Sequence, residues 1–352
     1  MKTFVMKRIG EVGFTEKPVP DDPEPTAAIV RTTHALVCTS DTHTVAGALG
    51  ERENLTIGHE AVGVIYKLGS EVEGHKEGDR VAVNAITPDF RCPNCLRGYS
   101  SQCREMLGGW RFANRKDGVF AEYFHVNDAG ANLTPIPDAI PDDKAVYTCD
   151  MMSTGFAGAE NARIPIGGTV AIFAQGPVGL MATAGARMLG AGLVIAVESM
   201  PKRKELARAF GADVVVDFNE VDPIEEILRL TDNAGVDSAI EALGSQNTFE
   251  ACVYATRPGG TISNVGYHGD GEYVSIPRMA WGVGMSDKTI RTALCPGGKE
   301  RMTRLLRVLE AGRIDPTLLT THTFSFDEVD KGFELMRSKE DGIIKPLIEF
   351  PA

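Results

Sequence analysis

Hydrophobic and polar positions change with a short period over the first part of the chain. Residues 1 to about 150 contain short runs of β-branched and apolar residues, such as "AAIVRTTHALV", "AVGVIYKLG" and "DRVAVNAI". Glycine and proline separate these runs, and few stretches show the 3.6-residue period of an amphipathic helix. The pattern therefore predicts a mainly β domain here.

A different pattern begins at about residue 152. Apolar stretches such as "TVAIFA" and "LVIAVE" alternate with helical stretches such as "VGLMATAGARMLGA" and "PKRKELARAFGA". This alternation is typical of βαβ units, in which helices cover both faces of a parallel sheet. After about residue 295 the sequence predicts two helices and a closing strand, "IIKPLIEF". The chain shows no internal repeat and no low-complexity tract.

Composition narrows the classes of protein that this pattern allows. The 352 residues are 43% hydrophobic, which favours two packed domains. A net charge of −12 would repel a phosphate backbone, so we expect no nucleic-acid partner. No apolar run approaches the ~20 residues of a membrane span, and the N-terminus "MKTFVMKRIG" lacks the apolar region of a secretory signal. These features predict a soluble cytoplasmic protein with no membrane partner.

A glycine-containing turn follows the first of the alternating strands. In "FAQGPVGL", Gly176 and Gly179 occupy two glycine positions of a dinucleotide-binding turn, and Ala174 occupies the first. Such a turn lets a pyrophosphate approach the N-terminus of the following helix. The same residues are also compatible with an ordinary tight turn between a strand and a helix.

An acidic residue bears on the choice of nucleotide. Glu198 ends the next predicted strand, nineteen residues after Gly179. An acidic side chain at this place can accept hydrogen bonds from the adenosine ribose, and it repels a 2′-phosphate. The sequence therefore predicts NAD in preference to NADP. Lys202 and Arg203 follow closely and would weaken that exclusion, unless they are solvated charges at a helix start.

Three possible metal ligands of different chemistry are spread over the first 150 residues. They are Cys38 in "CTSDTH", His59 in "IGHEAVG" and Asp150 in "TCDMMSTGF". Zinc catalysis of hydride transfer needs a few thiolate, imidazole or carboxylate ligands that leave one coordination position open. Each residue alone is also typical of a packed interior. As a set they indicate a catalytic zinc site.

The long stretch "GHEAVGVIYKLGSEVEGHKEGDRVAV", together with "CTSDTH" and the glycine turn, resembles the zinc-dependent medium-chain alcohol dehydrogenases. The resemblance continues through "DMMSTGF", "NVGYHG" and "LCPGG", and it is strongest to bacterial secondary-alcohol dehydrogenases, which act on 2-propanol and 2-butanol. It implies an α/β fold in which a Rossmann doubly wound parallel sheet is inserted into a GroES-like, mainly β catalytic domain. The implied domains are a GroES-like catalytic domain at 1–151, a Rossmann NAD-binding domain at 152–294 and a return segment at 295–352 that completes the catalytic domain.

The resemblance also implies how the catalytic zinc is held. Family members place the third ligand four residues before the threonine of an "STG" sequence, which here selects Asp150 rather than Cys149. Glu60 matches a position that approaches the zinc, either as an additional ligand or as a neighbour that tunes the field. Asp41 can hydrogen-bond a ligand imidazole and set its tautomer.

By the same resemblance, the substrate proton leaves through a short relay. Ser40 contacts the substrate oxygen and passes the proton through the nicotinamide ribose to His43 near solvent. The implied cofactor site comprises Thr154, Gly176, Pro177, Val178, Gly179, Glu198, Arg203, Ala242, Val265, Gly266, Tyr267 and Lys345. The implied walls of a small apolar substrate pocket are Ala85, Trp110, Leu294 and Cys295.

A second group of possible ligands lies in "DFRCPNCLRGYSSQC". Cys92, Cys95 and Cys103 have a C-x2-C-x7-C spacing, and the chain has an odd total of seven cysteines, which favours metal ligation or free thiols over disulfides. Relatives with a structural zinc carry a fourth cysteine three residues earlier, where this chain has Asp89. A carboxylate can complete a zinc site. The prediction is a second, structural zinc, with a vestigial lobe of three free thiols as the alternative.

Together these features predict a zinc-dependent oxidoreductase that interconverts small secondary alcohols and ketones with NAD(H), as a homotetramer. The same scaffold also serves enzymes that act on primary alcohols, butanediol or polyols. Zinc-free relatives bind nicotinamide nucleotide without alcohol chemistry. Those relatives lack the set of Cys38, His59 and Asp150, which this chain contains.

Overall fold

The structure, a computed structural model, describes residues 1–104 and 116–351. The chain divides into two compact units, one made of Met1–Ser153 and Cys295–Ala352 and the other of Thr154–Leu294. The first predicted domain boundary, after residue 151, lies two residues before this division. Within the described residues, no helix has the length and apolar character needed to cross a membrane.

Strands occur throughout the described part of the chain. In chain order they are β1 Lys2–Arg8, β2 Glu11–Glu16, β3 Ala28–Leu36, β4 Leu55–Thr56, β5 Glu60–Leu68, β6 Arg80–Val83, β7 Tyr123–Val126, β8 Leu133–Pro135, β9 Thr169–Phe173, β10 Leu193–Val197, β11 Val214–Val216, β12 Val236–Glu241, β13 Thr256–Asn264, β14 Thr289–Thr292, β15 Thr320–Ser325 and β16 Lys345–Glu349.

Helices are short before residue 150 and longer after it. In chain order they are α1 Thr39–Val45, α2 Pro93–Leu96, α3 Ala129–Asn132, α4 Asp142–Ala145, α5 Met151–Asn161, α6 Pro177–Met188, α7 Pro201–Ala209, α8 Pro223–Leu230, α9 Gln246–Ala255, α10 Lys299–Glu310 and α11 Val329–Ser338. Single turns of 3₁₀-helix occur at Ser100–Gln102, Val146–Thr148, Gly282–Gly284, Pro316–Leu319 and Phe326–Glu328.

The unit with both chain ends is mainly β, as the sequence predicts. One sheet has the strand order β15-β16-β3-β5-β6-β8, with β7 also paired to β3, and a smaller sheet has the order β2-β1-β4. The β15–β16 pair is parallel, and the other neighbouring strands are antiparallel. Apolar side chains from these strands and from α11 form one core, which includes Phe4, Val30, Ile65, Phe120 and Phe333.

The unit of Thr154–Leu294 contains a six-stranded parallel sheet in the order β11-β10-β9-β12-β13-β14. Four of the five residues of β9 are buried, as expected for a central strand covered on both faces. The chain runs outward through β10 and β11 and then returns to β12 on the other side of β9. This change of direction creates a switch point between β9 and β12, where ligands of doubly wound sheets bind at the carboxyl edge.

Candidate active site

Four possible metal ligands come from three places in the first unit. Strand register places Leu36, near the end of β3, opposite Glu60, the first residue of β5. Cys38 follows β3 by two residues and is the N-cap of α1, and His59 immediately precedes β5. Asp150 immediately precedes α5. Because β3 ends where its antiparallel partner β5 begins, residues far apart in sequence meet at one edge of the sheet.

The candidate ligand atoms of Cys38, His59, Glu60 and Asp150 all lie within 4.8 Å of one another. His59 Nε2 lies 3.3 Å from Asp150 Oδ2 and 3.9 Å from Glu60 Oε1. Cys149 points elsewhere, because its buried thiol donates to the carbonyl of Ala61 at 3.3 Å. The structure thus brings together the three predicted ligands and Glu60, and it leaves Cys149 out.

Asp41 orients the imidazole, as the sequence analysis predicts. His59 Nδ1 lies 2.9 Å from Asp41 Oδ1, so Asp41 accepts the hydrogen of Nδ1, and Nε2 is the ring nitrogen that faces Asp150. Although burial opposes protonation, the charge of Asp41 and hydrogen bonds to Asp150, Asp41 and Cys38 raise the pKa of His59 well above its usual range. Negative groups outnumber positive ones around this imidazole, and sulfur, nitrogen and oxygen donors suit a zinc ion.

A buried lysine lies behind the metal ligands. Lys345 Nζ lies 2.5 Å from Glu60 Oε1, and both side chains are fully buried. Burial raises the pKa of Glu60 to about 7, and the neighbouring Lys345 counteracts that rise. The other oxygen of Glu60 is buried without a hydrogen-bond partner among the described residues. The resemblance assigned Lys345 to the cofactor, whereas the structure places its ammonium on Glu60.

Sequence reasoning missed this pairing, although a signal was present. Lys345 is a charged residue inside the otherwise apolar closing strand, and all residues of β16 except Glu349 are buried. A lysine is almost never fully buried without a partner of opposite charge. The sequence does not show which acidic residue is that partner, because the chain contains 48 of them.

Ser40 and His43 lie on the short helix α1, which follows Cys38 directly. His43 is three positions after Ser40, so their side chains project from one side of the helix. Ser40 Oγ lies 3.3 Å from His59 Nε2, the nitrogen that faces the other ligands. His43 is exposed to solvent. This placement suits a hydroxyl beside the metal centre and an imidazole nearer to water.

A second cluster comprises Asp89, Cys92, Cys95 and Cys103, all buried, with ligand atoms within 4.8 Å of one another. Cys103 Sγ lies 3.3 Å from Asp89 Oδ1 and 3.9 Å from Cys92 Sγ. Although burial opposes it, backbone N–H groups of Arg91 and Cys92 lower the pKa of Asp89 to about 2. Three thiols and an ionised carboxylate form a donor set that zinc accepts.

In the glycine turn after β9, the first turn of α6 packs closely against the backbone that precedes it. A side chain on Gly179 would place its Cβ 1.9 Å from the carbonyl oxygen of Ala174, so only glycine fits there. Ala174 itself has a φ of 71°, in the region that favours glycine. A Cβ on Gly176 would meet nothing within 4 Å. Pro177 and Val178 open α6, whose first turn has no side-chain cap.

The other predicted cofactor residues of this unit follow neighbouring strands. Ala242 comes directly after β12, and a Cβ on Gly179 would lie 3.6 Å from the Ala242 Cβ. Val265, Gly266 and Tyr267 come directly after β13, and the Tyr267 side chain is half exposed. These residues lie at the carboxyl edge beside the switch point. Thr154 lies apart in sequence, in the first turn of α5.

The predicted substrate-pocket residues are distributed over both units. Ala85 and Cys295 are buried in the first unit, where Ala85 N donates to the carbonyl of Cys149 at 3.0 Å. Cys295 Sγ lies 4.0 Å from the same carbonyl oxygen. Leu294 is the last residue of the second unit. Trp110 lies outside the described residues.

Comparison with known proteins identifies the family. The description "Alcohol dehydrogenase GroES-like domain" matches residues 24–138, and "Zinc-binding dehydrogenase" matches residues 177–311. The chain is 50% identical to the NADP-dependent isopropanol dehydrogenase of Thermoanaerobacter brockii and 44% identical to that of Clostridium beijerinckii, over 99% of each chain. The chain belongs to the zinc-dependent alcohol dehydrogenase family, which confirms the predicted family and fold.

A solved structure shows the same fold. The zinc dependent alcohol dehydrogenase 2 from Streptococcus pneumonia aligns with a TM-score of 0.91 and 31% sequence identity. The alignment covers 100% of this chain and 99% of that chain.

The prediction that NAD is preferred over NADP is wrong by this comparison, because both isopropanol dehydrogenases are named NADP-dependent. The structure offers a physical reason. Glu198 Oε1 accepts the N–H groups of Ser199 and Met200, and Oε2 accepts that of Gln175, at 2.8 to 3.1 Å. Arg203 lies 3.7 Å from Oε2. Neighbouring groups therefore already engage the carboxylate that was expected to repel a 2′-phosphate.

Proposed function

We propose that this chain interconverts small secondary alcohols and ketones by hydride transfer with NADP(H). The observation that carries the proposal is the convergence of Cys38, His59 and Asp150, with Glu60, in a member of the zinc-dependent alcohol dehydrogenase family. The names of the isopropanol dehydrogenases support a secondary alcohol as the substrate. The unit of Met1–Ser153 and Cys295–Ala352 is the proposed catalytic domain, and the unit of Thr154–Leu294 is the proposed nucleotide-binding domain.

The chain's own residues have distinct proposed tasks at this centre. Zinc, when bound, supplies a Lewis acid that lowers the pKa of an alcohol. Asp41 holds His59 in the tautomer whose Nε2 can bind metal. Ser40 would take the proton of the alcohol while its own hydroxyl proton passes on towards the nicotinamide ribose, and His43, towards solvent, is the proposed final base of the relay. A hydroxyl adjacent to Nε2 is well placed for this task.

The nucleotide-binding unit contributes the proposed cofactor site. Open space at Gly176 and the uncapped start of α6 support binding of a pyrophosphate there. Arg203 supports NADP(H), because its buried Nε has no partner among the described residues and is available to a phosphate oxygen. Within the first unit, Ala85 and Cys295 remain proposed apolar residues of the substrate pocket.

A second zinc is proposed for the cluster of Asp89, Cys92, Cys95 and Cys103. Their burial and convergence support a closed, structural site.

The seven cysteines form no disulfide in the structure, which supports the reducing cytoplasm as the proposed location.

A panel of substrates and cofactors tests the proposal. We expect kcat/KM to be highest for 2-propanol with NADP, compared with ethanol, with 2,3-butanediol and with NAD. Activity should fall after treatment with a chelator and return when zinc is added. The thiolate, imidazole and carboxylate ligands are electron-pair donors, so they cannot replace zinc as the Lewis acid.

Matched variants separate the ligands from their neighbours. Asp150→Asn should abolish activity and zinc retention, whereas Cys149→Ser should preserve both, because Cys149 faces Ala61 and not the cluster. Full turnover by Asp150→Asn, or by protein shown to be free of zinc, would contradict the proposal.

A further inference from the structure

Glu241 is a buried carboxylate outside both metal clusters. It ends β12 in the unit of Thr154–Leu294, and its side chain is completely buried. Its Oε1 atom accepts hydrogen bonds from the N–H groups of Leu243 and Gly244, at 2.9 and 2.8 Å, and from the hydroxyl of Thr248 at 2.7 Å. One oxygen therefore organises the loop between β12 and α9.

The second oxygen of Glu241 is left without compensation. Oε2 is buried and has no hydrogen-bond partner among the described residues. His268 Nε2 lies 3.7 Å away but is 2.8 Å from Asn264 Oδ1. Because Asn264 Nδ2 donates to the carbonyl of Gly266, Oδ1 must be an acceptor, and the hydrogen on His268 Nε2 points to it. In the described part of the chain, no lysine or arginine forms an ion pair with Glu241.

The position of Glu241 in the sheet relates this charge to the cofactor. Glu241 ends the strand next to β9, on the side of the switch point opposite to β10 and Glu198. In a doubly wound sheet the pyrophosphate lies at the switch point, and the two nucleosides lie on either side of it. With the adenosine on the side of β10, the nicotinamide lies over the ends of β12 and β13.

Local packing brings the loop after β13 directly against this carboxylate. A Cβ on Gly266 would lie 2.2 Å from Glu241 Oε2, so glycine is required for the approach. Gly266 and its neighbours Val265 and Tyr267 belong to the predicted cofactor site and directly follow β13. The uncompensated oxygen therefore lies immediately beneath the loop that faces the cofactor.

We propose that the buried charge of Glu241 makes the site discriminate between the two redox forms of the cofactor, in favour of the oxidised form. This inference rests on the proposed function. The nicotinamide ring of NADP⁺ carries a positive charge, and the dihydronicotinamide ring of NADPH carries none. A fixed anion in a water-poor surrounding attracts the first ring and not the second. The bound equilibrium then shifts towards NADP⁺ and alcohol.

The substitution Glu241→Gln tests the inference, since it keeps the shape and removes the charge. The dissociation constant of NADPH is measured by its fluorescence in the metal-loaded protein, and that of NADP⁺ by competition. We expect the ratio of the NADP⁺ constant to the NADPH constant to rise about two- to fifteenfold, the range for unit charges roughly 10 Å apart in a medium between protein and water.

Two control variants separate charge from shape. Glu250→Gln makes the same chemical change on α9, where Glu250 contacts Gln246, and should leave the ratio unchanged. Thr248→Val removes one hydrogen bond from Glu241 Oε1 and keeps the charge. It should therefore change both constants in parallel.

If Glu241→Gln does not fold, His268→Lys provides the same test, because it places a cation against Oε2 and should also raise the ratio. Parallel changes in both constants, or none, in the folded variant would overturn the inference and leave only a structural role. Failure of the unaltered protein to bind either NADP⁺ or NADPH would instead refute the proposed function, and the inference with it.

Discussion

Asp41 joins two parts of the metal centre through one carboxylate. Oδ2 accepts the backbone N–H of Cys38 at 2.9 Å, while Oδ1 lies 2.9 Å from the imidazole of His59. The side chain is only 3% exposed. One side chain thus holds the thiol-bearing residue and the imidazole in register. Partners of this kind typically contribute about 10- to 100-fold to metal affinity.

Ser40→Ala is expected to lower kcat for 2-propanol roughly 10²- to 10⁴-fold, the usual contribution of a positioned proton acceptor. Zinc content should not change, because Ser40 is not in the ligand set. Steady-state kinetics and metal analysis of the same sample give both values. Asp41→Asn is the matched comparison on the same helix, and it should weaken zinc binding. Unchanged turnover in Ser40→Ala would remove Ser40 from the relay.

Lys345→Met is expected to lower the free energy of unfolding by about 3–5 kcal/mol, because it leaves the Glu60 carboxylate buried and unpaired. Urea unfolding of the zinc-loaded protein measures this change. The double variant Lys345→Met/Glu60→Gln should recover most of the loss, since the unpaired charge is gone. A single variant as stable as the unaltered chain would show that the pair contributes little.

The pairing of strands sets the positions of the candidate active-site residues more than the local sequence does. The β3–β5 register places Glu60 opposite Leu36, which brings Cys38 and His59 to the same edge of the sheet. In the second unit, parallel pairing aligns the ends of β9, β12 and β13, so that loops from distant segments meet. Both arrangements depend on hydrogen bonding between strands and not on sequence neighbours.

Two glycines of the turn after β9 should respond differently to alanine. Gly179→Ala should lower the melting temperature, because its Cβ would overlap the carbonyl of Ala174. Gly176→Ala should leave the melting temperature unchanged, as its surroundings are open, but should raise the dissociation constant of NADP⁺ by occupying the space of the pyrophosphate. Thermal unfolding and cofactor titration measure the two effects. Equal melting temperatures for both variants would contradict this reading of the turn.

The lobe that contains Asp89, Cys92, Cys95 and Cys103 should hold one zinc ion. Metal analysis of the unaltered chain is expected to give two zinc ions per chain, and Cys95→Ser should give close to one. Cys252→Ser is the control, because Cys252 is buried on α9 in the other unit and belongs to neither cluster. A value near one in the unaltered chain would favour a lobe of three free thiols.

At the scale of the whole molecule, self-association is the expected property. The segment between β13 and β14 exposes large apolar side chains, among them Tyr273, Met279 and Met285, each more than two-thirds exposed. Burial of such side chains drives association of subunits. Light scattering is expected to give four times the chain mass of 37.8 kDa. A mass equal to one chain would contradict the predicted homotetramer.

Much of the architecture could be predicted from the sequence. The change from a short-period to an alternating pattern near residue 152 indicated a mainly β part and a parallel α/β part, and both are present. The motifs around Cys38, His59 and Asp150 indicated the family, because long runs of matching residues are far more specific than single ligands. Such features involve residues that are close together in the chain, so they can be recognised from the sequence alone.

Interactions between distant side chains could not be predicted in the same way. The ion pair of Lys345 with Glu60 joins residues 285 positions apart. The error over the nucleotide had a related cause, since the effect of Glu198 depends on the groups that surround its carboxylate.

The sequence by itself therefore determined the order of strands and helices, the glycine turn and the chemical types of the metal ligands. Hydrophobic periodicity and residue chemistry are properties of short segments. The tertiary structure decided which charges are compensated, with Glu60 paired, Glu198 engaged by backbone donors and one oxygen of Glu241 left alone. Electrostatic energy depends on distance and burial in three dimensions, and the linear order of residues does not contain these quantities.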